Sequence, residues 1–431
     1  MADEQTEPLD RAFEVVTGAD PDGRNSDAPP SEVHNFFRHA LSLSMTKTAD
    51  GLLDPKLVLS WLLNHLGVPS IFIGMLVPIR EAGALLPQIF ISNRIMARSR
   101  RKLAWAGGSA VQGIAVGVIL LAALALQGWV LGAVACCALA VLAVARSFCS
   151  VSYKDVLGRT VGKSRRGTVT GLAGSVASAG VILFGGFLLL GWAERQIVVF
   201  FALAAAALLW FVAAAIFAGM DEAEAKPQDP TNNPFRQFAL LRQDTQLARF
   251  VAARGLLVAT ALAPPYLILM SAGSGEGGFQ HLGLLLFASA GASMISSYVW
   301  GRMADWSSRR VLIAAGAIAG GILTLAAFAG AVGIMGQLWV LPLLLFVLMV
   351  SYHGVRQARS TYLVDMAPED RRAAYTAVSN TLVGLILLAG GLFGLIASAL
   401  GPVVVVAFFA ALSFAGAVVA LGLNEVEALA E

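Results

Sequence analysis

Long hydrophobic stretches recur along the chain from residue 39 to residue 423, separated by short polar segments. Most of them contain the about 20 residues that an α-helix needs to cross the hydrocarbon core of a bilayer. The pattern predicts twelve spanning helices, at residues 39–63, 69–91, 103–126, 128–152, 167–191, 196–219, 247–271, 279–300, 311–334, 337–361, 373–399 and 402–423. The sequence therefore indicates an all-α membrane protein with about twelve transmembrane helices.

Two polar segments divide the chain. Residues 1–34 carry nine acidic residues against Arg11 and Arg24, which predicts a disordered tail on the aqueous side of the membrane. Residues 221–245 begin with a run rich in Asp, Glu, Pro and Asn, which predicts a central loop. We therefore expect one six-helix bundle over residues 35–220, a second over residues 246–424, and a short tail at residues 425–431.

Composition supports a membrane location and argues against several other classes of protein. The chain is 57% hydrophobic and 13% charged, whereas soluble domains carry roughly 25% charged residues. The three cysteines form no CxxC pair and no Cys/His cluster, so no metal site is indicated. The segment from Gly158 to Ser164 is one residue too short for a phosphate-binding loop, and no strand precedes it. We expect no cofactor, no nucleic-acid partner and no enzymatic activity.

Basic residues predict the orientation of the chain in the membrane. They concentrate in the central loop and in the loops after the even-numbered stretches, where Arg101, Arg165 and Arg359 are examples. The loops after the odd-numbered stretches carry little beyond Arg195. Because basic loops remain in the cytoplasm, this asymmetry predicts a multi-pass protein of the cytoplasmic (inner) membrane with both termini in the cytoplasm.

An internal repeat supports the division into two bundles. The segment at residues 89–101, which follows the second stretch, resembles the segment at residues 298–310, which follows the eighth. Parallel repeats of six helices are one known plan of secondary transporters, in which the solute site lies near the middle of the membrane between the two halves. The repeat therefore predicts a solute site between the bundles.

The segment Gly301-Arg-Met-Ala-Asp-Trp-Ser-Ser-Arg-Arg310 resembles the loop motif of the major facilitator superfamily, and the segment from Gly51 to Gly74 is similar to that family's first two helices. The resemblance covers nearly the whole chain after the tail. It implies transport by alternating access, gated by Gly301, Asp305, Arg309 and Arg310. The glycine would allow a close helix approach, and the aspartate would pair with a helix N-terminus or an arginine. In the first-half copy, Ser92 and Met96 replace the glycine and the aspartate.

Charged residues inside the predicted helices are candidates for the site, since a charge in a membrane normally faces a cavity or a partner. Arginine binds carboxylate and phosphate groups with two parallel hydrogen bonds. The substrate-binding candidates are therefore cationic, namely Arg80, Arg146, Arg356 and Lys47. Carboxyl groups in a partly buried position can carry a proton. The proton-coupling candidates are Asp50, Glu81 and Asp54.

These charges have a second interpretation, in which they only pair with one another, Lys47 with Asp50, and Arg80 with Glu81 or Asp54. The favoured hypothesis is a proton-coupled transporter of a small solute such as an organic anion, with the lipid bilayer as its solvent. The alternative hypothesis is a sensor or an assembly factor built on the same scaffold without transport. An enzyme acting on lipid would need converging catalytic groups, and the sequence offers only scattered arginines.

Overall fold

The computed structural model describes residues 6–17, 31–88, 91, 95, 98–162, 165–191, 194–222, 224, 238–272, 282–368 and 371–426. All regular secondary structure within these ranges is helical. The α-helices are α1 (Thr6–Thr17), α2 (Glu32–Leu53), α3 (Val58–His65), α4 (Ser70–Leu85), α5 (Lys102–Ala125), α6 (Gly128–Thr160), α7 (Arg166–Leu190), α8 (Arg195–Ala218), α9 (Leu240–Gln243), α10 (Thr245–Leu256), α11 (Ala259–Ala272), α12 (Leu282–Val332), α13 (Val340–Met366), α14 (Arg372–Gly390), α15 (Phe393–Leu400) and α16 (Pro402–Leu421). Helix α12 bends at Ser307, where the backbone is not helical.

Within the described part of the chain, ten helical segments are long and apolar enough to cross a membrane. The ten do not include the first two predicted stretches. Helix α2 carries several charged side chains and ends at Leu53. Helix α4 has 16 residues, which is shorter than a typical membrane-spanning helix. The fold is thus an all-helical membrane fold, and its first two helices differ from the rest in polarity and continuity.

The beginning of the chain differs from the prediction. Residues 6–17 of the expected disordered tail form helix α1, and α2 begins at Glu32 rather than after residue 34. The ring of Phe13 packs edge-on against that of Phe36 at 5.1 Å, and the guanidinium of Arg165 lies 5.0 Å from its centroid. This part of the tail is therefore packed against the bundle. Residues 1–5 and 18–30, most of the central loop and residues 427–431 lie outside the described ranges.

Two arginines of the basic loops are buried. Arg101 pairs with Asp155 at 2.5 Å, and its side chain is fully buried. Arg165 pairs with Glu32 at 2.7 Å, and Glu32 also accepts a hydrogen bond from the backbone N–H of Gly162. These arginines therefore join loops to helices, in addition to any effect on orientation.

In each half of the chain, an acidic residue after the last helix accepts hydrogen bonds from an earlier helix of the same half. Glu222, after α8, accepts hydrogen bonds from the backbone N–H groups of Arg101 and Lys102 at the start of α5. Glu425, after α16, accepts from the Ser307 hydroxyl at 2.5 Å at the bend of α12. A carboxylate at a helix N-terminus is favoured by the helix dipole. We call these two contacts the carboxylate clasps. The face that holds them, where α1 packs on the start of α2 and α16 ends, is called the termini face.

The two halves contact each other near the other end of the helices, which we call the opposite face. Helix α4 packs along α14 and α15, and α7 packs against the first arm of α12. A Cβ atom on Gly394 would lie 2.8 Å from the backbone oxygen of Ile71, so only glycine permits this approach. The hydroxyls of Ser70 and Ser398 are 2.8 Å apart at the same level. The halves are thus held together at the opposite face.

This contact predicts a specific cross-link. In a variant with Cys136, Cys137 and Cys149 replaced by alanine, Ser70→Cys with Ser398→Cys should form a disulfide under mild oxidation, because the two side chains already touch. Cleavage at a protease site engineered into the central loop, followed by non-reducing electrophoresis, measures whether the halves stay linked.

Ser70→Cys paired with Ser413→Cys is the control, because Ser413 is buried in α16 and donates to the Phe409 carbonyl. Absence of the disulfide in the first pair, or equal yields in both pairs, would contradict the closed opposite face.

Candidate functional site

The first predicted membrane helix, residues 39–63, is interrupted and forms the two helices α2 and α3. Pro55 has no N–H to donate and disfavours helical backbone at the residue before it, so α2 ends at Leu53 and α3 begins at Val58. The carboxylate of Asp54 accepts a hydrogen bond from the Lys56 N–H at 2.9 Å, which stabilises the turn between them. The interruption turns the side chains of Asp54 and Lys56 towards a cavity between the halves.

This cavity, which we call the central cavity, has a volume of about 270 Å³. Helices α2, α4 and α6 of the first half and α13 of the second half contribute its walls. Eight of its twelve lining residues are charged, namely Asp50, Asp54, Lys56, Arg80, Glu81, Arg146, Arg356 and Arg359. A charged side chain between membrane helices is costly unless it meets a partner, water or a ligand. The concentration of eight in one place marks the candidate site.

Asp50 holds two arginines on the first-half wall. Arg80 donates to one carboxylate oxygen at 2.6 Å, and Arg146 donates to the other. The Arg80 side chain is 12% exposed and that of Asp50 is 20% exposed, so the pair is largely withdrawn from water. A charge-assisted contact of this kind is strong in such surroundings, and removing one partner leaves an uncompensated charge.

Lys56 connects the two halves. Its ammonium lies 3.5 Å from the Glu81 carboxylate and 3.8 Å from the centroid of the Tyr352 ring on α13. An ammonium over an aromatic face is attracted by the ring's electron density. Lys56 therefore links the interrupted helix to α4 in its own half and to α13 in the other half.

Arg356 and Arg359 form the second-half wall. They lie three residues apart on α13, which places them on the same side of the helix. Neither has an acidic partner within 4 Å among the described residues, in contrast to Arg80 and Arg146. Arg356 is exposed and Arg359 is half-buried. Their donors are therefore available to a ligand in the central cavity.

Two smaller spaces adjoin the central cavity. One, lined by Arg254, shares Arg356 and Arg359 with it, and there Arg254 donates to Ser379 at 2.7 Å and to Asn380 at 3.0 Å. Its wall includes Leu257 and Val258, where the first helix of the second half is interrupted between α10 and α11. Corresponding interruptions in both halves of a repeat are typical of transporter binding sites.

The other adjoining space, of about 230 Å³, shares Asp50 and Arg146 with the central cavity. Lys47 lines it and donates to the backbone oxygen of Thr170 on α7 at 3.0 Å. Lys47 therefore contacts α7 and does not form the predicted ion pair with Asp50. The predicted pairing of Arg80 with Glu81 or Asp54 is replaced by the pairing of Arg80 with Asp50.

Six of the seven charged residues that the sequence singled out for substrate or proton binding line the central cavity, namely Asp50, Asp54, Arg80, Glu81, Arg146 and Arg356. Sequence reasoning missed Lys56, Tyr352 and Arg359. Pro55 was a signal for the helix break that exposes Lys56. The three-residue spacing from Arg356 was a signal that Arg359 faces the cavity rather than a loop.

The loop residues with a predicted gating role lie at the bend of α12. Arg309 pairs with Glu425 at 3.1 Å, and Arg310 lies 3.7 Å from the same carboxylate, so both contacts stay within the second half. A Cβ atom on Gly301 would meet no atom within 4 Å, so the close helix approach expected there is not seen in this conformation. The side chain of Asp305 lies outside the described residues.

Comparison with solved structures shows the same fold in transporters. A POT family transporter in complex with a thioalcohol-conjugated peptide matches with a TM-score of 0.70, 11% identity and coverage of 90% of this chain and 95% of that chain. The nucleoside transporter NupG matches with a TM-score of 0.69, 14% identity and coverage of 90% and 99%. A D-xylose-proton symporter matches with a TM-score of 0.67, 11% identity and coverage of 91% and 99%.

No protein-family profile matches the chain, and a search of curated proteins finds no match either. The structural neighbours are MFS-type transporters, so the chain has the fold that its resemblance to the major facilitator superfamily predicted.

The Asp50 contacts predict a measurable effect on stability. Asp50→Asn leaves Arg80 and Arg146 without a counter-charge, which costs about 3–5 kcal/mol in a fully buried pair. Because the Arg146 side chain is 38% exposed, we expect a smaller loss of about 2 kcal/mol, seen as a lower Tm of the purified protein in detergent.

Asp54→Asn is the matched control, four residues further along, because among the described residues the Asp54 carboxylate accepts one hydrogen bond, from the Lys56 N–H, and has no cation within 4 Å. An asparagine can keep that bond, so its Tm should change little. Equal losses in the two variants would contradict the assignment of Asp50 as the shared counter-charge.

Proposed function

We propose that the protein is a secondary transporter that moves a small organic anion across a membrane by alternating access. The observation that carries the proposal is the central cavity, which is lined by both halves and in which cations outnumber carboxylates. A site between two repeats can be opened to either side when the halves rock. The fold shared with MFS-type transporters supports this mechanism.

The contacts between the halves support an assignment of the access state of this conformation. The packing of α4 on α14 and α15 closes the opposite face, so the central cavity would be reached from the termini face. We propose that transport alternates this state with one in which the opposite face opens and the termini face closes. The gating loop in the second state would then consist of Gly301, Asp305, Arg309 and Arg310. In that state Glu425 would give up its contacts with Arg309 and Arg310.

We further propose that a proton is the coupling ion and that Asp54 carries it. Asp50 is paired with two arginines and Glu81 with Lys56. Asp54 has no ion-pair partner within 4 Å among the described residues, so protonating it breaks no ion pair. Asp50 and Glu81 would instead adjust the positions of the cations when the anion binds.

The basic residues at the termini face support a location in the cytoplasmic (inner) membrane, with both termini in the cytoplasm. Arg100 and Arg310 are exposed at that face, and Gln127 is exposed in the loop between α5 and α6 at the opposite face.

This orientation predicts a labelling pattern. In the cysteine-free variant, Gln127→Cys should react with a membrane-impermeant maleimide in intact cells, whereas Arg100→Cys and Arg310→Cys should react only after permeabilisation. Reaction of Arg100→Cys and Arg310→Cys from different sides would contradict the arrangement of two parallel bundles.

Transport itself is tested by counterflow of organic anions in proteoliposomes. We expect Asp50→Asn and Arg80→Ala to abolish counterflow while the protein still inserts, because both remove the shared contact on the first-half wall. Asp54→Asn should keep counterflow but lose uphill uptake driven by a pH gradient, since exchange needs no net proton movement.

Wild-type flux in Asp50→Asn and Arg80→Ala would contradict the site. Uphill uptake that survives in Asp54→Asn would contradict the role of this carboxylate. Absence of any solute flux in the unmodified protein would favour the alternative, a sensor or an assembly factor on the same scaffold.

A further inference from the structure

The charges of the central cavity do not balance. Its lining holds five cationic side chains, Lys56, Arg80, Arg146, Arg356 and Arg359, and three carboxylates, Asp50, Asp54 and Glu81. With all of them ionised, the lining carries two excess positive charges. Charged groups between membrane helices are normally neutralised by a partner. A ligand with two negative charges would complete the balance.

The excess charge is located on one wall. On the first-half side, Arg80 and Arg146 share Asp50, and Lys56 faces Glu81. On the second-half side, Arg356 and Arg359 have no acidic partner within 4 Å in the described part of the chain. A guanidinium presents a planar set of donors that fits the two oxygens of a carboxylate or phosphate. This wall therefore offers a receptor for one acidic group.

The first-half wall can receive a second acidic group. Each guanidinium has five N–H donors, and the contacts with Asp50 use one nitrogen of Arg80 and one of Arg146. An anion between the walls would thus meet arginines of both halves. The volume of about 270 Å³ lies below the about 300–1,000 Å³ of sites for drug-sized ligands, which restricts the ligand to a compact molecule.

We propose that the substrate is a compact dianion, either a short dicarboxylate or the phosphate monoester of a small alcohol, with one acidic group bound by Arg356 and Arg359. In a dicarboxylate, the second carboxylate faces Arg80 and Arg146 across the cavity. In a phosphate monoester, both charges lie on the one phosphate, which would sit between the two walls and share its oxygens with the arginines of both. The inference rests on the proposed transport function and narrows its substrate from organic anions in general to this class. By spanning both walls, the dianion links the two halves.

Binding of four probes to the purified protein tests the charge of the ligand. Succinate and glycerol 3-phosphate represent the two kinds of dianion, lactate is the monoanion, and glycerol is the neutral control. We expect one of the dianions to raise the Tm at concentrations at which lactate and glycerol have no effect. The dianion that does so identifies the acidic group that the site prefers.

Substitutions on the second-half wall test the assignment of residues. Arg356→Gln and Arg359→Gln should each weaken dianion binding at least about tenfold, because each removes a charged hydrogen-bond donor. Arg356→Lys keeps the charge but loses the planar donor set, so we expect an intermediate loss. Arg242→Gln is the matched control, since Arg242 is exposed on α9 outside the cavity and binding should not change.

Counterflow of the same probes separates failure of this inference from failure of the transport proposal. Transport of lactate but neither dianion would overturn the dianion assignment and leave transport intact. Binding of a dianion without flux of any probe would overturn transport and leave the site. Unchanged dianion binding in folded Arg356→Gln and Arg359→Gln, judged by a ligand-free Tm that is not lowered, would overturn the role of these arginines.

Discussion

The structure depends on how charge is accommodated among apolar helices. Eight charged side chains line one cavity in a chain that is 13% charged overall. Asp50 holds Arg80 and Arg146 in place, and this contact fixes α2, α4 and α6 around the first-half wall. Because such charges cannot face lipid without a large cost, they keep the two halves around a polar centre. The features that suggest transport follow from this constraint.

Interrupted helices bring charged side chains to the cavity between the halves. The break at Pro55 separates α2 from α3, and the break between α10 and α11 lies in the corresponding helix of the second half. A continuous helix satisfies its own backbone groups, whereas a break leaves polar groups that need a cavity or protein around them. The breaks therefore belong at the site, and the surrounding continuous helices provide its apolar support.

The all-helical membrane fold was predictable, because long apolar stretches separated by short polar segments are visible in the sequence alone. Six of the seven charged site candidates line the same cavity. A charged side chain in an apolar helix is costly unless it faces a cavity or a partner, so such residues tend to lie together. The partners were not predictable: Asp50 pairs with Arg80 and Arg146 through the packing of three helices. Lys56 was missed because a proline break overrides hydrophobic periodicity. The burial of Arg101 and Arg165 in ion pairs was not predictable either, because composition cannot distinguish a surface charge from a buried pair.

The carboxylate clasps have a consequence for motion. In each half, the segment after the last helix is fastened to the start of a helix near the middle of that half, by Glu222 at α5 and by Glu425 at the bend of α12. These hydrogen bonds link the end of each bundle to one of its earlier helices at the termini face. Individual helices of a bundle are therefore less free to separate from one another. A displacement at the cavity would then move each bundle as a rigid body.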